Sequence, residues 1–225
     1  MLDHFIDSDF IDCRINAFPL LKEGATWSPN LLFIDLDLED FESEKSLRLA
    51  LDKTLKNIKE KLGNSNDNDN YGYAQPTVLF RGGYHIYQPV YCPTALENVT
   101  EFQKFENPSQ EFLRFAKDNL SNGKADKKSN PSFRSCLLRI PGSINSKYDR
   151  KVTIVQKWNK VRPPIAREFI EEFRTYLIQK KIDENEQRQK MLLKLKRQNK
   201  NTINRNYYEW IDKKILEINL KTIEK

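Results

Sequence analysis

Residues 31–40 read LLFIDLDLED. The run is apolar except for two carboxylates at alternate positions, with SPN before it and EDFES after it, and it predicts a β-strand over 31–38. Side chains alternate faces along a strand, so Asp35 and Asp37 share one face, roughly 6.5–7 Å apart at Cα. Ile34, Leu36 and Leu38 then point to the other face, into a core. Two neighbouring carboxylates repel, and a hard divalent cation removes that cost. Mg²⁺ prefers oxygen ligands and often combines one or two carboxylates with substrate phosphates. A strand with one wet face and two solvated acids is the alternative reading of the same pattern.

Outward from this strand the chain reads as an α+β body. Ser43 caps a helix with Leu47, Leu51, Leu55, Ile58 and Leu62 on one face, and Gly63 stands where it should stop. NSNDNDN at 64–70 is a polar loop. Short strands are predicted over 76–80 and 84–90, and Asn107-Pro108 opens a second helix that turns Phe112, Leu113, Ala116 and Leu120 inward. A polar stretch over 121–132, a strand ending at Arg139-Ile140, a Pro141-Gly142 turn and a strand over 152–158 follow. Pro163-Pro164 marks a boundary. Beyond it three helices are expected: one around Phe169, Ile170, Phe173 and Leu177, a charged one over 184–200, and one carrying Tyr207, Tyr208, Trp210, Ile211, Ile215 and Leu216.

The net charge of +6 is unevenly placed. Residues 180–225 hold 13 Lys and Arg against 7 Asp and Glu, leaving 25 of each elsewhere. A basic segment with interleaved aromatics suits a phosphate backbone, although a solvated helix face has the same composition. Three scattered cysteines, Cys13, Cys92 and Cys136, argue against a disulfide framework, and no CxxC pair offers a zinc knuckle. No stretch approaches a membrane span, and the first residues lack the layout of a secretion signal. A cytoplasmic, DNA-associated protein is expected.

Two further stretches carry candidate chemistry. In FRGGYHIYQPV (80–90) glycines permit close backbone approach, and Arg81 with His85 suits phosphate oxygens. A plain hairpin with a packed histidine is the alternative. In RSCLLRIPGSINSK (134–147) Ser143, Asn145 and Lys147 follow the turn, and Arg139 with Lys147 suits a triphosphate. An ordinary exposed turn would also account for Ser143 and Asn145.

FIDLDL, then GGYHIY, then LLRIPGSINSK, in that order, resembles the three signature regions of the archaeo-eukaryotic primase superfamily, closest to its primase-polymerase members of archaeal, plasmid and viral type. The resemblance covers residues 31 to about 158. It implies an RRM-like antiparallel sheet with flanking helices over 1–163, followed by a basic helical region over 164–225. It implies that Asp35 and Asp37 hold two catalytic divalent ions, Mg²⁺ or Mn²⁺, and no zinc is expected. The third acid falls on Asp126, with Asp118 as the other carboxylate in reach. Arg81, Gly83, His85, Arg139, Ser143, Asn145 and Lys147 fall at nucleotide-binding positions. Where most members carry serine or another small residue this chain has Gly83, so that its contact would come from backbone.

The activity so implied is DNA-dependent nucleotidyl transfer on a single-stranded DNA template with (d)NTP substrates. A replicative helicase or a further domain of a larger replication protein is an expected partner. In the tail, Arg188, Lys190, Lys194, Lys196, Arg197 and Arg205 are candidate phosphate contacts, and Tyr207 and Tyr208, with Trp210, candidate stacking platforms. An aromatic cluster at helical spacing is more often a core. The competing function is a non-catalytic nucleic-acid-binding accessory subunit.

Overall fold

The acid-bearing strand forms one edge of the main sheet, and its length is set by the second acid. The computed structural model describes residues 9–18, 27–62, 73–198 and 205–223. A short strand, β1 (Arg14–Asn16), precedes the acid-bearing β2 (Leu31–Leu36). The expected strand over 31–38 is cut short because Asp37 turns its carboxylate back onto the Glu39 N–H, 3.4 Å away, and caps a single 3₁₀ turn at Leu38–Asp40. Leu38 therefore lies half-buried in that turn and not on the core face.

Helix α1 (Glu44–Lys61) starts as the sequence predicts. Ser43 and Ser46 bond reciprocally across its first turn, and Leu47, Leu51 and Ile58 are buried. Strands β3 (Thr77–Phe80) and β4 (Tyr84–Pro89) form a hairpin around Arg81-Gly82-Gly83, and α2 (Pro108–Leu120) follows with Pro108 at its first position. Ile34 and Leu36 of β2 are buried, as are Phe112, Ala116 and Leu120 of α2. Asn57 donates to the Leu120 carbonyl at 2.8 Å and Lys61 to Asn119 Oδ1 at 2.7 Å, which fixes the ends of the two helices together. The loop over 64–70 and Gly63 lie outside the described residues.

Beyond α2 come β5 (Leu137–Arg139), β6 (Ile144–Asn145), β7 (Arg150–Lys151) and β8 (Thr153–Gln156). The main sheet runs β2-β4-β3-β8, and every neighbouring pair is antiparallel. β1 pairs with β5, and β6 with β7, as two small antiparallel sheets. The protein is thus α+β with antiparallel sheets. In β2–β4 Asp35 stands opposite His85 and Phe33 opposite Tyr87. The sheet register alone therefore puts the first acid beside the histidine.

The C-terminal region differs from the three expected helices. Residues 167–198 form one 32-residue helix, α3 (Arg167–Gln198), because no glycine or proline interrupts them. Helix α4 (Arg205–Ile223) follows. The chain divides into two compact units, Met1–Glu171 and Glu172–Lys225. In the first, Phe169 packs edge-on against Phe112 and at a tilt against Phe115. In the second, Leu192, Ile211 and Ile218 form a small apolar cluster joined by Ile215. No helix of the described residues is long and apolar enough to cross a membrane.

Gly83 is required by packing. A Cβ there would stand 2.3 Å from the Leu36 carbonyl oxygen and 3.0 Å from the Asp37 Cα, both backbone atoms. Backbone cannot step aside as a flexible side chain can. Gly83→Ala is expected to lower unfolding free energy by about 1–3 kcal/mol, the usual range for overpacking, when measured by urea denaturation. An unchanged midpoint would show that the hairpin and β2 separate freely.

Candidate functional site

Arg81 lies between the two acids and the histidine. Its Nη2 donates to Asp35 Oδ1 at 2.6 Å and lies 4.0 Å from Asp37 Oδ2. Its Nε donates to His85 Nε2, also at 2.6 Å. That donation sets the histidine tautomer: Nε2 must carry the lone pair, so the proton is on Nδ1 and is directed to the Tyr87 hydroxyl at 2.9 Å. The 3.2 Å approach of His85 Nε2 to Asp35 Oδ2 is then a contact between two acceptors, and becomes an ion pair only on protonation.

The electrostatics agree. Burial outweighs the pull of Asp35 and lowers the His85 pKa, so the ring is neutral at pH 7. Burial opposes the charge on Asp35 too, yet its carboxyl stays below its ordinary range: the His85 ring pulls on it whenever protonated, and the permanently charged Arg81 guanidinium is hydrogen-bonded to it. Asp37 behaves likewise: burial opposes its charge, and bonds from Tyr148 and Lys147 outweigh it. Lys147 Nζ reaches Asp37 Oδ2 at 3.1 Å and Glu39 at 2.8 Å, and the Tyr148 hydroxyl donates to Asp37 Oδ1. The ring of Tyr148 also covers Gly82, which has φ +105° and no room for a side chain on that side.

Asp35, Asp37, Arg81, His85, Arg139 and Lys147 line one cavity of about 1120 Å³, and Asp126 lines it as well. Asp126 sits on an irregular segment, not a strand. Its N–H donates to the Asp35 carbonyl at 2.8 Å, so it runs along the open edge of β2. Lys117, a buried lysine on α2, fixes the segment by donating to the Asp126 and Ser129 carbonyls at 3.2 and 2.8 Å. Asp118 is exposed on α2, pairs with Lys117 and does not line the cavity. Asp40, on the 3₁₀ turn, has its pKa raised by burial and by the charges of Asp126 and Asp37.

Three expected ligand positions have internal roles instead. Gly83 does not line the cavity and provides the close approach described above. Ser143 is fully buried, and its hydroxyl closes the turn onto the Ile140 carbonyl at 2.7 Å. Asn145 is also fully buried, donating to the Arg81 carbonyl at 2.8 Å and accepting from Arg139 Nη2 at 2.9 Å. The turn faces inward because both polar side chains find backbone and guanidinium partners there. Arg139 is further paired with Asp12, which also accepts from Ser146. Tyr148, Asp12, Asp40 and Arg14 were not singled out by sequence. Tyr148, directly after Lys147, had a signal of position, whereas the N-terminal pair is revealed only by the β1–β5 ladder.

Within residues 172–225, Arg188 lines a smaller cavity of about 240 Å³ with Trp210 and Lys214. Lys190 pairs with Glu186 at 3.7 Å, and Lys194 is exposed. The side chains of Lys196, Arg197, Arg205, Tyr207 and Tyr208 lie outside those described.

The donor set suits a hard divalent cation in chemistry: ionised carboxylates that offer oxygen atoms only. Among the described residues no three His, Cys, Asp or Glu side chains are gathered into a ready-made cage. Mg²⁺ commonly takes one or two carboxylates and completes its shell with water and substrate phosphates, so Asp35 and Asp37 fit that mode. No protein-family model, curated protein or solved structure matches the chain.

The Asp12 cluster supplies a test of this wiring. Bonds from the Ser146 hydroxyl and from Arg139 lower the Asp12 pKa from 3.8 to about 2. A depressed carboxyl contributes stability above its unfolded pKa and loses it as pH falls through the folded one. Asp12→Ala is therefore expected to be less stable than wild type at pH 7, with the gap in urea midpoints closing between pH 4 and pH 2. A gap that persists at pH 2 would remove the Asp12 charge from the account.

Proposed function

We propose that the chain is a DNA-dependent primase-polymerase, transferring nucleotides onto a strand templated by single-stranded DNA. The observation that carries the reading is the shared cavity wall: Asp35, Asp37 and Asp126 stand beside Arg81, His85, Arg139 and Lys147. A binding module has no evident need for paired ionised acids inside a basic pocket.

Asp35 and Asp37 would hold two divalent ions, Mg²⁺ or Mn²⁺, with Asp126 on the same wall. Bound there, such ions supply Lewis-acid activation of a 3′-hydroxyl and neutralise charge on the leaving pyrophosphate. The chain's own cations do the rest. Arg81 and Lys147 are the groups that exchange their carboxylates for triphosphate oxygens, Arg81 through its planar fork and Lys147 as a point charge. Tyr87 holds His85 through Nδ1, so that the ring keeps one orientation whether or not Arg81 remains on Nε2. Positioning and electrostatics of this kind are the main protein contribution to phosphoryl chemistry.

With the short β1 and β5–β7, which lie outside the main sheet, set aside, the elements run β2-α1-β3-β4-α2-β8, the βαββαβ sequence of an RRM-like core, which supports that finer reading of the fold. Such a core would seat its last strand beside the first. Here β8 joins the β3 edge, and the segment of Asp126 occupies the edge of β2. The basic helical residues 172–225 suit a nucleic-acid contact, with Arg188 and Trp210 as its described candidates.

The rival is a non-catalytic nucleic-acid-binding accessory subunit of a replication complex. It draws on one observation: Asp35 Oδ1 and both carboxylate oxygens of Asp37 already accept from side chains of the protein, as in a structural pair. One assay separates them. Purified chain, single-stranded template and labelled ribo- or deoxynucleotides are incubated with Mg²⁺ or Mn²⁺, with and without primer, and products are resolved on a gel. Incorporation is expected, and Asp37→Asn is expected to reduce it at least about a hundredfold, the scale of losing one electrostatic stabiliser of a transition state. Salt-sensitive template binding without incorporation under either metal would establish the accessory role instead.

A further inference from the structure

Arg14 lies outside all three stretches that resemble the primase signatures, yet its side chain lines the same cavity as Asp35, Arg81 and Arg139. The β1–β5 ladder sets Arg14 directly opposite Arg139. Residues directly opposite in an antiparallel pair share a face, and like charges there repel. The anions nearby are already committed. Arg139 is bound to Asp12 and Asn145, and Arg81 to Asp35. Among the described residues Arg14 forms no hydrogen bond and no salt bridge, and its side chain is exposed to the cavity. Burial and the Arg139 and Arg81 charges lower its pKa, and Asp12 and Asp35 recover only part of that shift. Three guanidinium groups thus converge on one wall. Two are answered by carboxylates and the third is not.

We propose that Arg14 completes a three-arginine cradle for the polyphosphate of a nucleoside triphosphate, and distinguishes it from a monophosphate. The proposal rests on the nucleotide-binding reading of the cavity. A monophosphate's charge is met by Arg81 and Lys147 once they leave their acids. Each further phosphate needs a further cation, and Arg14 has no carboxylate to release first; Lys128 and Arg134 line the same cavity, but Arg14 is the one that the β-ladder sets opposite Arg139. A planar guanidinium also offers paired donors to two oxygens of one phosphate or to oxygens of adjacent phosphates. Its repulsion with Arg139 makes the ligand-free wall unfavourable, and a bound polyanion removes that cost.

The test is calorimetric titration of the wild-type chain, Arg14→Gln and Arg14→Lys with ATP, AMP, inorganic tripolyphosphate and a single-stranded oligonucleotide, in Ca²⁺ buffer. Wild-type incorporation is assayed alongside. Arg14→Gln is expected to weaken ATP and tripolyphosphate about tenfold or more, the worth of one charge-assisted contact, and to leave AMP unchanged. Arg14→Lys should recover part of the loss. The melting temperature of Arg14→Gln should hold or rise, since repulsion with Arg139 is relieved. Equal losses for ATP and AMP, no loss, or a loss confined to the oligonucleotide would overturn the proposal. So would a wild type that binds no triphosphate, which would overturn the polymerase reading as well. Incorporation by wild type with undiminished ATP binding by Arg14→Gln would defeat the cradle alone. Lost ATP binding in a chain that incorporates nothing would defeat the polymerase reading alone.

Discussion

The buried pair Arg81–Asp35 is the constraint on which the site depends. Both side chains are almost wholly removed from water, and deleting one partner of such a pair typically costs roughly 3–5 kcal/mol, because the survivor is left as an uncompensated charge. The pair does more than neutralise. Through Nε the same guanidinium fixes the tautomer of His85, which in turn is held by Tyr87. Through the Arg81 carbonyl it anchors Asn145 and hence the turn that brings Arg139 and Lys147 to the wall. One arginine at the end of β3 therefore organises three segments that are far apart in sequence.

Such wiring suits a site whose ligands exchange. Several groups that would meet a cation or a phosphate are paired within the protein: Arg81 with Asp35, Lys147 with Asp37, and Arg139 with Asp12. Ionised acids are held at neutral pH without a metal, and cations are held without a nucleotide. Arg14 is the informative exception: on the cavity wall, burial and the charges of Arg139 and Arg81 weigh against its own charge, and Asp12 and Asp35 only partly offset them.

Much of this was legible from local pattern. Period-two alternation placed Asp35 on the face away from Ile34 and Leu36, and the leucine spacing of α1 and the Asn107-Pro108 opening of α2 marked both helices. Asp37 was misplaced in part, because a capping carboxylate and a strand carboxylate look alike until the chain is seen to turn at Leu38. Ser143 and Asn145 looked like exposed donors because their partners, the Ile140 and Arg81 carbonyls and Arg139, are supplied by backbone and by tertiary contact. The Arg14–Arg139 opposition was invisible for a stricter reason. A three-residue strand carries no periodicity, and only its pairing partner, 125 positions away in register, gives it meaning. The long α3 helix was broken in two by composition, although nothing in it forbids continuous hydrogen bonding.

The Lys117 clamp bears on how a ligand enters. Its ammonium is buried, and two of its three donors are spent on main-chain oxygens flanking the acid-bearing stretch. Swinging that stretch outward would take both main-chain acceptors from a buried ammonium and leave it the Asp118 pair alone, so it is an unfavourable hinge. Admission to the cavity is left to side-chain rotation, chiefly of Lys147 at its exposed rim, and the wall itself keeps its shape from one occupant to the next.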